Sequence, residues 1–444
     1  MSFEFADGLR YLFLDFNAYF AAVEQHDDPA LLGQPVIVAP SASEHTSAIA
    51  VSYEAREFGI KRGTRIREAR ALCPGIAVRT ARHDRYVQLH KVLMAVVERH
   101  LPVSKIYSID EAAFRLSPPE FTAPAAVDLA RCIRAAITQE VGPALRASFG
   151  LAQTRLLAKL AAEMQKPDGL TVLEPDAVLS RLADLPLEKI PGIGKGMSLR
   201  LARNGVTDFQ ALWALQPKQA RKIWNSVQGE RFWYSLHGYE VEEAETQRCM
   251  FGHSRVLYHE HESPEAARIV ARALLMKAAS RLRHAGFFAR RLSLSMRVRP
   301  EGRLGGDAVF TPSQDSFLFL GEMDRIWKHL VSRHDVARLG GVSVYLHGLS
   351  RQGDDAVSQG DLFAPVQASQ VAMRRAKLWQ LIDEINSDPD GRLARLGRSE
   401  EVASSDGNTA SRHVTLATQQ GLHLDYLGAK IAFSRVPDEA EFRF

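Results

Sequence analysis

Apolar positions along the chain switch between two periods, and the switches mark the elements. Tyr11 to Leu14 is an unbroken run of β-forming residues, as in a strand buried on both faces, and it ends at Asp15. Ala18 to Glu24 takes up helical spacing. Lys105 to Leu116, KIYSIDEAAFRL, predicts a β-hairpin. Its apolar residues Ile106, Ile109, Ala113 and Phe114 belong to a core, and Asp110 and Glu111 sit side by side in its middle. Leu156, Leu157, Leu160 and Ala161 form a buried helical stripe that Pro167-Asp168-Gly169 stops. Asp184 to Val206 predicts helix, tight turn, helix around Pro191-Gly192-Ile193-Gly194.

The last third is the most regular. From Phe251 to Ser350 the pattern predicts strand, helix, strand, strand, helix, strand, with Ser263-Pro264 as cap and first helical position. Within it RRLSLSMRVR, Arg290 to Arg299, alternates strictly. Leu292, Leu294, Met296 and Val298 face one way, and Arg291, Ser293, Ser295, Arg297 and Arg299 the other. Arg351 to Ser358 is polar. Leu378, Leu381, Ile382 and Ile385 have the spacing of a short amphipathic helix, while the composition of Glu400 to Arg412 is that of disorder. Val414 to Phe444 takes no assignment.

Composition narrows the class. A chain of 444 residues exceeds a single core, so three or four domains are expected. An apolar fraction of 46% with 24% charged residues fits a soluble globular protein. No apolar run approaches the ~18 residues of a membrane span. The opening MSFEFADGLR has no basic segment leading into an apolar one, so no secretory leader is expected. Cys73, Cys132 and Cys249 form no CxxC pair, which argues against zinc and a disulfide framework and for a reducing cytoplasm. Net charge is +4, but His253 to Ser350 carries 15 Lys and Arg against 9 Asp and Glu. A basic module suits a polyanion partner, and a solvated charged surface gives the same count.

Chemistry enters with the acids. If the strand ending at Asp15 neighbours the hairpin, three carboxylates converge and need a cation. Hard oxygen donors suit Mg²⁺, and two such ions serve phosphoryl or nucleotidyl transfer. Taken singly, each acid also reads as a solvated strand end. Tyr53 and Arg56 share a helical face and can hold phosphate oxygens, or belong to an ordinary basic face. Lys166 stands where its helix stops, placed for a ligand or for simple pairing with the helix dipole. The Gly192-Ile193-Gly194 turn brings backbone N–H groups close to a phosphate. Arg291, Arg297 and Arg299 either meet phosphates or protect an edge strand.

DFNAYFAAVE, YEAREFG, YSIDEA, LLAKLAAEMQKPDGL and PGIGKG, in this order and spacing, resemble the Y-family of translesion DNA polymerases over roughly Tyr11 to Ser350. The opening half resembles bacterial DNA polymerase IV, above all in YEAREFG. DFNA, TPSQDS (Thr311 to Ser316) and part of the tail resemble the catalytic subunit of DNA polymerase V. The resemblance implies an α/β and α+β multidomain right hand. Its parts are a palm (1–18 and 83–173), fingers (19–82), a helix-hairpin-helix thumb (174–240), a linker (241–250), a little finger (251–350) and a tail (351–444). It implies a low-fidelity, lesion-bypass DNA polymerase of the SOS response. Asp15, Asp110 and Glu111 would bind two Mg²⁺ with the Phe16 carbonyl. Tyr53, Arg56 and Lys166 would hold the triphosphate, and Phe20 would exclude a 2′-hydroxyl. Asn17 stands where many members have a second Asp. Gly192, Gly194, Lys195, Arg291, Arg297 and Arg299 would grip primer-template DNA. Gln359, Leu362 and Phe363, in SQGDLFAP, resemble the peptide by which bacterial polymerases bind the sliding clamp. A cytoplasmic monomer is expected. The rival readings are an inactive polymerase-like adaptor, which the three carboxylates oppose, and a nucleotide cyclase, which needs no DNA grip.

Overall fold

The computed structural model describes residues 4–242, 248–257, 259–300 and 302–351, with 375, 378–379 and 381–383 beyond them. They fall into two compact units, one ending before and one beginning after the segment at 243–247.

In the first unit β1 (Glu4–Phe5) precedes β2 (Tyr11–Phe16), whose six residues are all buried. Ala18 follows in the left-handed region at φ 48°, a conformation that costs an alanine about 1–2 kcal/mol. This turn starts helix α1 (Tyr19–Asp27) directly after the strand. Strands β3 (Val36–Ala39), β4 (Ala50–Val51) and β5 (Ala77–Thr80) make a small sheet with β3 in the centre. It shares a core of its own with helices α2 (Tyr53–Glu57) and α3 (Ile66–Leu72), built from Ile37, Val51, Ala55, Ile60 and Ile66. Helix α4 (His83–Glu98) leads to the expected hairpin, β6 (Val103–Ile106) and β7 (Glu111–Arg115). Then come α5 (Ala123–Glu140), β8 (Ala147–Ala152), α6 (Arg155–Met164) and β9 (Leu170–Leu173).

The larger sheet runs β6-β7-β2-β8-β9, antiparallel except for the β8–β9 pair. The first apolar run is therefore its central strand, which explains burial on both faces. Helix α6 lies so close to β8 that a Cβ at Gly150 would sit 2.0 Å from the Ala158 carbonyl oxygen. Leu157, Leu160 and Ala161 of the expected stripe are buried, and Leu156 is partly so. Ile109, Ala113 and Phe114 enter the core, but Ile106 is 43% exposed, because β6 is an edge strand with one open face.

Helices α7 (Val178–Leu182), α8 (Lys195–Arg203), α9 (Phe209–Trp213), α10 (Pro217–Trp224) and α11 (Val227–Leu236) share a core with α6 through Leu160, Leu182, Ile193, Leu201 and Phe209. Strand β10 (Tyr239–Glu240) then pairs with β1. The helix expected ahead of the glycine turn is a single 3₁₀ turn, Leu187–Lys189. Pro186 and Pro191 bracket a segment too short for an α-helix.

The second unit follows the expected order: β11 (Met250–Val256), α12 (Pro264–His284), β12 (Phe287–Val298), β13 (Arg303–Ser313), α13 (Ser316–Arg333), β14 (Leu339–His347), and a short β15 (Ser350–Arg351). The Ser263 hydroxyl caps α12, accepting from the Ala266 N–H at 3.2 Å. Sheet order is β11-β14-β12-β13, so the alternating strand β12 is internal and its arginines are not edge protection. Leu292, Leu294 and Met296 pack with Leu274, Phe319 and Met323 of the two helices, while Arg291 and Arg297 stay exposed.

The described residues between 375 and 383 are helical, and they bury Ile382 of the expected stripe but not its leucines. Leu378 and Leu381 are exposed, whereas Trp379, Ile382 and Asp383 are buried. The reason is a partner the spacing does not reveal. Arg283 of α12 donates to both Asp383 oxygens at 2.5 and 2.9 Å and lies over the Trp379 ring. Ile385 lies outside the described residues.

Candidate active site

Strand pairing assembles the acids. Strands β2 and β7 are antiparallel neighbours with Asp15 opposite Glu111. Asp110, just before β7, is tied to the end of β2 because the Phe16 N–H donates to its carbonyl at 2.8 Å. The Ser108 hydroxyl donates to the Asp110 carboxylate. Behind them, buried His90 of α4 contacts the Ile109 carbonyl through Nδ1 at 2.7 Å, and burial lowers its pKa, favouring the neutral ring.

The closest carboxylate group is not quite the expected one. Asp15, Glu111 and Glu163 bring ligand oxygens within 4.8 Å of one another, while Asp110 stands beside them in the same cleft. Glu163 projects from the last turn of α6. Two lysines answer these charges. Lys166 Nζ lies 2.6 Å from Asp15 and 2.7 Å from Glu163, and Lys159 Nζ lies 2.6 and 2.7 Å from the two Glu111 oxygens. Burial pushes Asp15 up to about 7 against the pull of Lys166, and the charges of Asp110 and Glu163 add to the rise. Burial, with Glu111 alongside, also raises Asp110. Burial works against the Lys166 charge, but Asp15 and Glu163 outweigh it and hold its pKa above the ordinary value. A group of carboxylate oxygens alone is the donor set of a hard divalent cation, not of zinc.

Asp15, Phe16, Phe20, Tyr53, Arg56, Asp110, Glu111 and Lys166 all line one cleft of about 740 Å³. Tyr53 and Arg56 come from α2, with the guanidinium 4.1 Å from the ring centroid. Phe20 stacks on Tyr86 with centroids 4.2 Å apart. The Tyr86 hydroxyl donates to buried Glu24 at 2.8 Å, and Arg82 grips both Glu24 oxygens at 3.1 and 2.8 Å. Sequence reasoning missed Lys159, Glu163, Tyr86 and the cleft residues Lys61 and Arg62. A signal existed for two of them, since Lys159, Glu163 and Lys166 follow one another at intervals of four and three residues along and just past α6.

The other expected contacts are placed as follows. Gly192, at φ 94°, and Gly194, the N-cap of α8, are exposed together with Lys195. Arg299 lies past the end of β12 and pairs with buried Glu262 at 3.2 Å, so it does not continue the row of Arg291 and Arg297. Gln359, Leu362 and Phe363 lie outside the described residues.

An acid pair opposite a strand-end Asp, in a cleft lined by Tyr53, Arg56 and Lys166, suits metal-assisted transfer of a phosphate-bearing group. Residues 14–163 match the impB/mucB/samB family. The chain is 32% identical to a DNA polymerase IV of Moorella thermoacetica over 386 residues, 85% of this chain and 92% of that one. It is 38% identical to a DNA polymerase IV of Stenotrophomonas maltophilia over 208 residues, 46% of this chain and 56% of the relative. In structure it is similar to a Y-family DNA polymerase chimera built on Dbh, with a TM-score of 0.66 at 21% identity, covering 77% of this chain and all of the other. The chain belongs to the Y-family of DNA polymerases and is DNA polymerase IV-like. Among the described residues no helix is long and apolar enough to cross a membrane.

Proposed function

We propose that the chain is a template-directed DNA polymerase of the lesion-bypass type that extends a primer 3′-hydroxyl with dNTPs. The observation that carries this reading is the meeting, in one cleft, of carboxylates from two paired strands with Tyr53, Arg56, Lys166 and Phe20. Y-family polymerases use divalent metal ions. In our reading Asp15, Asp110 and Glu111 hold two Mg²⁺, with the Phe16 carbonyl as a further donor. Held by these residues, the ions would supply a lowered pKa for the attacking hydroxyl and stabilisation of developing phosphate charge.

The chain's own residues do the rest. Tyr53 and Arg56 hold triphosphate oxygens, and stacking on the ring fixes the guanidinium fork before the ligand arrives. Lys166, held by Asp15 and Glu163, adds a point charge in the same cleft. Phe20 is backed by Tyr86, so it cannot yield to a 2′-hydroxyl. Gly192, Gly194 and Lys195 offer backbone N–H groups and a cation to one stretch of DNA backbone, and Arg291 and Arg297 offer cations to another. Arg299 contributes less than these, since Glu262 already claims it. The domain assignment follows: palm 1–18 and 83–173, fingers 19–82, thumb 174–240, little finger 251–350. Gln359, Leu362 and Phe363 bind the sliding clamp, and the protein acts as a cytoplasmic monomer. The adaptor reading finds no support in a site that keeps Asp15, Asp110 and Glu111.

Primer extension with dNTPs and Mg²⁺ on an undamaged template and on one with an abasic site tests this. Templated extension on the first and measurable bypass on the second are expected. A protein that binds primed DNA and incorporates nothing is an adaptor.

A further inference from the structure

We propose that Asn17 is a positioning residue for Lys166 and, through it, for the triphosphate of the incoming nucleotide; this deepens the polymerase reading above and rests on it. Asn17 follows β2 and is buried, 4% exposed. Its amide is fully used inside the protein. Nδ2 donates to Ser148 Oγ at 2.9 Å and lies 3.4 Å from the Asp15 carbonyl oxygen. Oδ1 accepts from the Asp168 N–H at 2.7 Å and lies 3.3 Å from Ser148 Oγ. Both lone pairs of that oxygen are taken. Asn17 is thus committed to the backbone of a neighbouring turn and is not a spare cation ligand.

That turn is the one that carries Lys166. Asp168 stands at φ 58°, a left-handed conformation open to aspartate more than to most residues, and the Asn17 side-chain carbonyl oxygen holds its N–H there. Gly169 follows so tightly that a Cβ there would lie 1.9 Å from the Gln165 carbonyl oxygen. Two residues of one strand end grip the turn at two points. Asp15 takes the Lys166 ammonium at 2.6 Å, and Asn17 takes the backbone N–H two residues further on. A lysine stem has four rotatable bonds. Anchoring the backbone beside it limits where the ammonium reaches and keeps it over the cleft. The position needs an acceptor for Asp168 and tolerates a donor from Ser148. Aspartate meets that need, with the serine hydroxyl turning to donate, and alanine does not.

The test compares wild type, Asn17→Ala, Asn17→Asp, Lys166→Ala and the Asn17→Ala/Lys166→Ala double variant. It reads kcat and KM for dNTP in primer extension, and equilibrium binding of a fluorescent dNTP to the protein on primed DNA. Asn17→Ala is expected to raise KM about tenfold and weaken dNTP binding about as much, with kcat within about threefold. Asn17→Asp is expected to stay within about threefold of wild type in both, and the double variant to be no worse than Lys166→Ala, since both act on one contact. Should the alanine variant fail to fold, Asn17→Ser, whose hydroxyl is too short to reach Asp168, gives the same comparison. An additive double variant, or a loss of kcat at unchanged KM and binding, overturns the proposal. Wild type that binds the fluorescent dNTP but extends no primer ends the polymerase reading and leaves the binding comparison standing. Wild type that binds no triphosphate ends both.

Discussion

Asp15 is buried at the end of a central strand, beside Asp110 and Glu163, where its charge has lost most of its hydration. Burial pushes its pKa from the ordinary 3.8 up to about 7 against the pull of Lys166, so the folded chain gives up this proton at higher pH than the unfolded one. The stability from this group is full below about pH 4 and is lost as pH rises through 7. A divalent cation binds only the ionised form, so its stabilising effect grows over the same range. Mg²⁺ is therefore expected to raise the melting temperature more at pH 8 than at pH 6, and Asp15→Asn to shrink that difference, with Asp110 left as the other raised carboxylate. Thermal unfolding at both pH values, with and without Mg²⁺, checks it. Phe20 carries a second expectation. Its ring rests on Tyr86, itself fixed by Glu24 and Arg82. Phe20→Ala opens the space under the sugar, and the ratio of dNTP to rNTP incorporation efficiency is expected to fall at least about tenfold. An unchanged ratio would make Phe20 a plain packing residue of α1. The acids were legible because Asp15 ends an apolar run and Asp110-Glu111 interrupts one. Glu163 and Lys159 were legible only as a row of charges with Lys166 at intervals of four and three residues, because such a row looks the same whether it faces water or a neighbouring strand.

At the scale of elements, β12 was readable almost residue by residue, since strict alternation leaves one arrangement on a half-buried sheet. Its internal place in the sheet was not, because strand order depends on β13 and β14. Arg291→Ala and Arg297→Ala are each expected to weaken DNA binding and to lower the salt dependence of log K by about 0.9 per lost phosphate contact. Titration against salt concentration checks this, and an unchanged slope removes the contact. Of the expected stripe near the described residues 375, 378–379 and 381–383, Ile382 is buried, while Leu378 and Leu381 turn outward. Leucines outrank a tryptophan and an aspartate in any hydrophobic count, yet Arg283 selects the face with Asp383, and the two side chains are only 10% and 9% exposed. Breaking such a pair leaves a buried charge behind. Asp383→Ala is expected to destabilise the protein by about 3–5 kcal/mol in denaturant unfolding, far more than Leu381→Ala on the exposed face. Equal effects would place the segment elsewhere.

At the scale of the whole molecule, a tether to a partner at the primer end would raise the effective concentration of the polymerase there. Leu362→Ala with Phe363→Ala is expected to leave synthesis on a short primed template unchanged while abolishing stimulation by the sliding clamp. Wild-type clamp affinity in that variant would end the proposed tether. The central claim is that the two acids of one hairpin do the chemistry while other parts of the chain hold DNA. It is tested most directly by assaying Asp110→Ala and Glu111→Ala for single-nucleotide incorporation beside primed-DNA binding in the same buffer. Incorporation reduced at least about a thousandfold with DNA affinity within about threefold of wild type is the expected result, and incorporation at the wild-type rate by either variant would contradict it.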